Sequence, residues 1–402
     1  MKIFIVDKFE AWGVDQLKHI AEEVVTETGL KDQALADRVA ALDPDVIIVR
    51  STKIPARVLE AGKRLKLIVR AGSGVDNIDV PAASHKGIQV ANCPGMNAAA
   101  VAELAIGLMV ALDRRIPDNA ADFKVHKWNK KEFSKAGMGF KGRTIGIVGA
   151  GGIGTEVARR ALAFDMNVLY FNLGRTRRLM DLPNCKRVEL DDLMSQSDVV
   201  SLHVPGGEGT RHMIDAEMIA MLRPSALLIN TSRGDVIDEP ALIEALRAKK
   251  IRGAALDVYA KEPPADGTSI DSPLCELPNV IGTHHIGAST EQAQMAVAAE
   301  TVRIVAEYKT TGKAPNCINL QTRAASGCLL IVRMTNKPGS LAHVFSHLAE
   351  ANINVEEMDH VIYDGGKAAC AQMNLNQAPN DKVLAGIRTG HPGVLGAEVV
   401  SA

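Results

Sequence analysis

The amino-acid sequence predicts an α/β protein: two doubly wound parallel-sheet domains followed by a smaller βαββαβ module. Three observations carry that prediction. Short apolar segments alternate with amphipathic ones from residue 1 to about 95 and again from Thr144 to about 309, the pattern of parallel strands covered by helices on both faces. The second series opens with T-I-G-I-V-G-A-G-G-I-G-T at 144–155, an apolar strand running straight into G-x-G-x-x-G. After Thr310 the rhythm becomes strand, helix, strand, strand, helix, strand, which is the ferredoxin-like order.

In the first series the candidate strands are Lys2–Val6, Val46–Arg50, Leu65–Arg70 and Ile88–Ala91. The run Asn97–Arg114 reads as one long buried helix that crosses into the next series. Its apolar stretch, Ala98–Leu112, contains Glu103 and is too short to span a bilayer. In the second series six parallel strands are expected, at 144–149, 167–171, 198–204, 226–231, 253–258 and 279–284. Asp238-Glu239-Pro240 marks a helix start, an Asp cap with Pro in the first turn. A helix at about 289–309 leads back toward the first domain, and Gly312–Asn316 reads as a linker. The module then gives strand 328–334, helix 338–350, strands 353–362 and 367–375, helix 380–389 and strand 395–401. Asp364-Gly365-Gly366 supplies a hairpin turn. The expected domains are 1–96 with 288–318, then 97–287, then 325–402.

Composition narrows the function classes. The chain of 402 residues is 47% hydrophobic and 23% charged, with a net charge of −1. That charge argues against a nucleic-acid or membrane-surface partner. Six cysteines are scattered without a C-x-x-C. This points to free thiols in a reducing cytoplasm and to no metal site. The opening M-K-I-F-I-V-D reads as a strand rather than a signal peptide.

The glycine turn points to a dinucleotide. Gly149 permits the tight turn, Gly151 lets backbone approach a pyrophosphate and Gly154 lets helix pack on strand. Gly152 and Ile153 open the helix, where free N–H groups and the helix dipole favour an anion. Where the adenosine ribose would meet an acid, the chain has Asn172, followed by Arg175, Arg177 and Arg178. Asn bonds ribose but does not repel a 2′-phosphate, so NADP is possible beside NAD. The arginines could receive that phosphate or form a solvated helix start.

Ligands in such sheets bind outside the carboxyl ends of the strands. Those ends carry Arg50 and Lys53, Arg70 to Asn77, Thr231-Ser232-Arg233, Asp257 with Glu262, and His284-His285-Ile286-Gly287. Removing a hydride from a secondary alcohol needs a base for the hydroxyl proton, and His suits it. A carboxylate fixes the imidazole tautomer, and Arg binds a substrate carboxylate bidentately. Arg233, Glu262 and His285 supply those parts. Singly, each also fits a surface or turn residue; the combination favours chemistry.

Residues 1 to about 318 resemble the D-2-hydroxyacid dehydrogenases, and among them the D-3-phosphoglycerate dehydrogenases. The motifs are R-A-G-S-G-V-D-N (70–77), G-A-G-G-I-G (149–154), N-T-S-R-G-D-V-I-D-E (230–239), G-A-A-L-D-V-Y-A-K-E-P-P (253–264) and H-I-G-A-S-T (285–290). The resemblance implies a flavodoxin-like substrate domain and a Rossmann domain for NAD. It implies Arg233, Glu262 and His285 as catalytic residues. Cofactor contacts are implied at Ser73, Gly152, Ile153, Asn172, Val204, Thr231, Ser232, Gly287 and Asp257, which would reach the nicotinamide amide. Arg50, Lys53 and Arg70, with Ser73 and Gly74, would hold a phosphorylated hydroxy acid. The implied reaction is oxidation of D-3-phosphoglycerate to 3-phosphohydroxypyruvate in serine biosynthesis. A reductase of glyoxylate, hydroxypyruvate or another 2-keto acid is the alternative within the family, and a dinucleotide-sensing co-repressor the alternative outside catalysis. His284 stands where Pro is usual, and Trp128 resembles a residue that caps a neighbouring subunit's site. The tail resembles an ACT domain, with Asn336 and Asn354 at the positions that bind a serine effector and Met334 where a His sometimes stands. Serine control and a purely dimerising module both remain open. The family and the tail imply a homodimer or homotetramer.

Overall fold

The computed structural model describes residues 1–401 apart from 175–178, 181, 264–266 and 321–327. The chain divides into two compact units, Met1–Asn319 and Leu320–Ala402. The first unit holds two parallel sheets. One comprises β1 (Lys2–Ile5), β2 (Glu23–Thr26), β3 (Val46–Val49), β4 (Leu67–Arg70) and β5 (Gln89–Asn92). Their order, β2-β1-β3-β4-β5, is the flavodoxin-like one. β3, V-I-I-V, is buried along its length, as a strand covered on both faces must be. On one face Phe4, Ile47 and Ile68 pack with Leu35 and Val58. On the other Ile3, Ile48 and Val69 pack with Leu17 and with Ile304 and Val305 of the helix Glu291–Thr311.

The second sheet comprises β6 (Thr144–Val148), β7 (Asn167–Phe171), β8 (Cys185–Arg187), β9 (Val199–Leu202), β10 (Leu227–Asn230), β11 (Gly253–Leu256) and β12 (Val280–Gly282). The order β12-β11-β10-β9-β6-β7-β8 is the Rossmann order with a seventh strand added. It reverses between β6 and β9, the place where such sheets open a crevice. Helix Ala98–Arg114 packs Ala105, Leu108 and Met109 against Ile145, Ile147 and Val157.

Six strands are expected in this sheet and seven are found. β8 (C-K-R) and, in the first sheet, β2 (E-V-V-T) have no alternating apolar run to mark them. Both are edge strands that bury little. Several predicted strands also end early. β9 stops at Leu202 and β11 at Leu256, and the residues that follow, His203 and Asp257, line the crevice.

In the second unit β13 (Cys328–Thr335), β14 (Val355–Ile362), β15 (Ala368–Leu375) and β16 (Val394–Ser401) form an antiparallel sheet in the order β14-β15-β13-β16. With helices Ser340–Glu350 and Asp381–Thr389 this is the ferredoxin-like βαββαβ fold. Its core joins Leu330, Val332, Met373, Leu348 and Ile387. Among the described residues no helix is long and apolar enough to cross a membrane.

Candidate active site

A cleft of about 1080 Å³ runs along the carboxyl ends of the strands in the Met1–Asn319 unit. Arg50, Arg70, Ser73 and Gly74 line it from the first sheet. Arg233, Glu262 and His285 line it from the second, with Ile153, Val204, Thr231, Ser232, Asp257 and Gly287. Lys53 has an exposed side chain and is not part of the wall.

His285 and Glu262 form a pair. His285 Nδ1 lies 2.8 Å from Glu262 Oε2. An ionised carboxylate can only accept, so Nδ1 carries the hydrogen and Nε2 is left for substrate. The Glu262 hydrogen bond raises the His285 pKa, and burial only partly opposes it. Burial pulls the Glu262 carboxyl the other way, but the His285 hydrogen bond and charge prevail and hold it low. Tyr259 N–H donates to the second Glu262 oxygen at 3.3 Å. The pair is thus set up as an imidazole with a raised proton affinity, oriented by a carboxylate.

Asp257 builds the loop that carries His285. It is 1% exposed. Its carboxylate accepts from Thr283 Oγ1 at 2.6 Å, Ile286 N at 2.9 Å and Gly287 N at 2.9 Å. His285 N–H donates to the Asp257 carbonyl at 2.8 Å. Three of about four acceptor positions are used, and Asp257 lines the cleft.

Two guanidinium groups thread the R-A-G-S-G turn. A Cβ at Gly72 would overlap Arg70 Nη1, and one at Gly74 would overlap Arg233 Nη2. Arg233 Nε donates to Asp76 Oδ2 at 2.9 Å, and Nη1 to the Ser232 carbonyl at 2.8 Å. Arg70 Nε is buried without a hydrogen-bond partner. Burial, then the charge of Arg233, pulls the Arg70 guanidinium below its usual pKa. A buried cationic N–H without a partner, on a residue that lines the cleft, suits an anion. Ser73 Oγ donates to Asn97 Oδ1 at 2.7 Å.

The glycine turn fits a dinucleotide. Gly149 has φ of 100°, and a Cβ there would lie 2.5 Å from the His203 carbonyl oxygen. At Gly154 a Cβ would strike the Gly149 carbonyl, whereas at Gly151 it would meet nothing within 4 Å. Two glycines therefore shape the turn, and the third leaves an open approach to the start of helix Gly152–Ala163. Beyond it, His203 Nδ1 and Thr231 Oγ1 are buried without partners. They follow β9 and β10, whose ends pair Leu202 with Asn230, and both residues line the cleft. Burial pushes His203 down to about 3, so it stays neutral, with Nε2 bonded to Ser201 Oγ at 2.8 Å. Asn172 serves the turn itself. It accepts from Ala150 N at 3.0 Å and donates to the Gly174 carbonyl at 2.8 Å. Arg175, Arg177 and Arg178 lie outside the described residues.

Sequence reasoning missed two carboxylates. Asp76 grips Arg233. Asp7, after β1, accepts from the backbone N–H groups of Arg50, Ser51 and Thr52 at 2.6, 3.0 and 3.1 Å. It thereby shapes the loop that presents Arg50. The sequence signal was a place after a strand for both and, for Asp76, membership of R-A-G-S-G-V-D-N (70–77). In the second unit Asn336 Nδ2 donates to the Gly366 carbonyl at 2.9 Å and Asn354 Nδ2 to Glu356 Oε1 at 2.9 Å. Met334 is 1% exposed and belongs to the core.

Residues 106–287 match the family model for the D-isomer specific 2-hydroxyacid dehydrogenase NAD binding domain. The D-3-phosphoglycerate dehydrogenase of Methanocaldococcus jannaschii is 40% identical over 322 residues, 80% of this chain and 60% of that protein. The chain thus spans about six-tenths of that relative. The hydroxypyruvate reductase of Thermotoga maritima is 43% identical over 302 residues, 75% of this chain and 96% of that protein. The crystal structure of the TT0316 protein from Thermus thermophilus superimposes with a TM-score of 0.70 at 32% identity, over 79% of this chain and 100% of that one. The glycine turn, the His285–Glu262 pair and these likenesses agree: the chain belongs to the D-isomer specific 2-hydroxyacid dehydrogenases.

Proposed function

We propose that this protein oxidises D-3-phosphoglycerate to 3-phosphohydroxypyruvate with NAD, the first step of serine biosynthesis. The observation that carries the reading is the cation set of the cleft. Arg233 serves a carboxylate, and Arg50 and Arg70 remain for a phosphate. The likeness to the M. jannaschii D-3-phosphoglycerate dehydrogenase supports it.

Gly149, Gly151, Gly152, Ile153 and Gly154 would hold the pyrophosphate, with Asn172 at the ribose. Val204, Thr231, Ser232, Asp257 and Gly287 would hold the nicotinamide half, the last Asp257 acceptor position serving its amide. When bound, the nicotinamide ring supplies the hydride acceptor. Arg233 holds the substrate carboxylate and fixes the hydroxyl-bearing carbon. His285 Nε2 takes the hydroxyl proton as the hydride departs. Glu262 keeps the imidazole oriented and stabilises its cation. Ser73 and Gly74 close the substrate end, while Lys53, outside the cleft wall, is left without a contact role. NADP remains a possible second cofactor because Asn172 carries no charge; an NAD preference in kcat/KM above roughly a hundredfold, about 2.7 kcal/mol, would exclude it.

The likeness to the T. maritima hydroxypyruvate reductase favours a second reading, reduction of an unphosphorylated 2-keto acid. Steady-state rates on 3-phosphohydroxypyruvate, hydroxypyruvate and glyoxylate separate the two. We expect a strong preference for the phosphorylated acid; equal kcat/KM values would favour the reductase. NADH-dependent assembly without turnover of any of them would favour the co-repressor. The C-terminal unit would take serine at Asn336 and Asn354, or serve as a dimerising module alone. Serine inhibition measured on the full chain decides that. The expected assembly is a homodimer or homotetramer in the cytoplasm, and the exposed Trp128, Phe123 and Val125 suit an interface with a second copy.

A further inference from the structure

We infer that Asp76 is a positioning residue: it grips the Arg233 guanidinium by its Nε/Nη2 edge so that the adjoining end-on edge is presented to the substrate carboxylate. The inference rests on the dehydrogenase reading above. A guanidinium has five N–H groups in a planar fork. Nε and Nη2 of Arg233 both donate to Asp76 Oδ2, at 2.9 and 2.8 Å. Nη1 donates to the Ser232 carbonyl at 2.8 Å. Three donors are thereby used. Two donors remain, one on each Nη, and Asp76 takes the Nε/Nη2 edge and so leaves the end-on Nη1/Nη2 edge untouched. That edge matches a carboxylate bidentately.

The contact joins residues 157 positions apart, a loop after β4 in the first sheet and a loop after β10 in the second. Gly74 makes it feasible, since a Cβ there would overlap Nη2. Fold stability is a poor account of the pair. The Asp76 side chain is 59% exposed and that of Arg233 32%, and exposed pairs contribute little. Orientation is what the arrangement provides. Asp76 occupies the edge that substrate does not need, so it is not a competitor for the site.

The test uses Asp76→Ala, Asp76→Asn and Asp76→Glu in the full chain. The readouts are kcat and KM for 3-phosphohydroxypyruvate, the NADH dissociation constant by fluorescence, and calorimetric binding of oxamate, a small carboxylate, to the NADH complex. Asp76→Ala should raise KM and the oxamate dissociation constant about tenfold or more, while NADH binding and kcat stay within about threefold of wild type. Asp76→Glu should recover part of the loss. In an Arg233→Gln background, Asp76→Ala should add almost nothing, because Asp76 acts through Arg233. Unchanged or lowered KM and oxamate constants would overturn the inference, as would an undiminished effect in the Arg233→Gln background. A wild type that reduces no 2-keto acid but shows the oxamate pattern would sink the dehydrogenase reading and support the role of Asp76.

Discussion

His285 reaches its position through an unfavourable backbone. Its φ is 54°, a conformation that costs a non-glycine residue about 1 kcal/mol or more. The four hydrogen bonds between the 283–287 segment and Asp257 offset that cost. The result is an imidazole whose Nδ1 meets Glu262 Oε2 at 2.8 Å. Because the Glu262 hydrogen bond raises the His285 pKa, the imidazolium persists to higher pH than a free histidine would. In the proposed reaction the imidazolium is the acid for keto reduction, and neutral imidazole is the base for alcohol oxidation. Glu262→Gln removes the stabilising charge and lowers the pKa. Reduction should then fall off at lower pH, oxidation should begin at lower pH, and kcat should drop roughly a hundredfold. The pH–rate profiles in both directions check this; an unmoved profile would mean that another group titrates. At Gly74 the argument is steric. Gly74→Ala places a methyl where Arg233 Nη2 stands, so KM for the keto acid should rise about tenfold while NADH binding, read by fluorescence, stays near normal.

Among the elements, the loop after β3, which carries Arg50, is held by a carboxylate distant in sequence. Three successive amides, Arg50 to Thr52, point at the Asp7 carboxylate, and Thr52 Oγ1 adds a bond at 2.8 Å. Such a row of N–H groups would otherwise attract a ligand anion. Burial alone would raise the Asp7 pKa, but these donors outweigh it and lower the value. The stabilisation is therefore complete above the unfolded carboxylate pKa and is lost as pH falls through the depressed folded value. Asp7→Ala leaves the amides unpaired, at about 1–3 kcal/mol. It should lower the melting temperature and raise KM for the phosphorylated acid more than for hydroxypyruvate. Equal KM changes would mean that the loop does not read the phosphate. Asp7 and Asp76 also mark the limit of what a sequence discloses. The turn at 149–154 and the Arg233, Glu262, His285 set were legible because local backbone needs and strand-end chemistry leave residue-type signals. Asp7 acts across 43 positions and Asp76 across 157; their places after strands were visible, but nothing local names a partner so far along the chain. Asn172 is similar: its place after β7 was legible, but its bonds to Ala150 and Gly174 were not.

For the whole molecule, the division of labour follows from where the groups sit. Among the described residues, every one that lines the cleft belongs to Met1–Asn319. That unit has its own apolar cores and a closing segment, in which Ile318 N–H donates to the Val90 carbonyl at 2.8 Å and Asn319 Oδ1 accepts from Val90 N at 2.8 Å. The C-terminal unit has a separate core around Leu330, Val332 and Met373. Met334 is part of that core rather than of any surface loop, so Asn336 and Asn354 would have to bind an effector without a third side chain from that position. A chain ended after Asn319 should therefore fold, bind NADH like the full chain and keep kcat for 3-phosphohydroxypyruvate within about threefold, because none of the reacting groups is removed. Any serine inhibition should vanish from it. Circular dichroism, NADH fluorescence and steady-state rates on both forms check the expectation. Loss of turnover with folding and NADH binding intact would show that the catalytic cleft depends on the C-terminal unit, through assembly or through direct support.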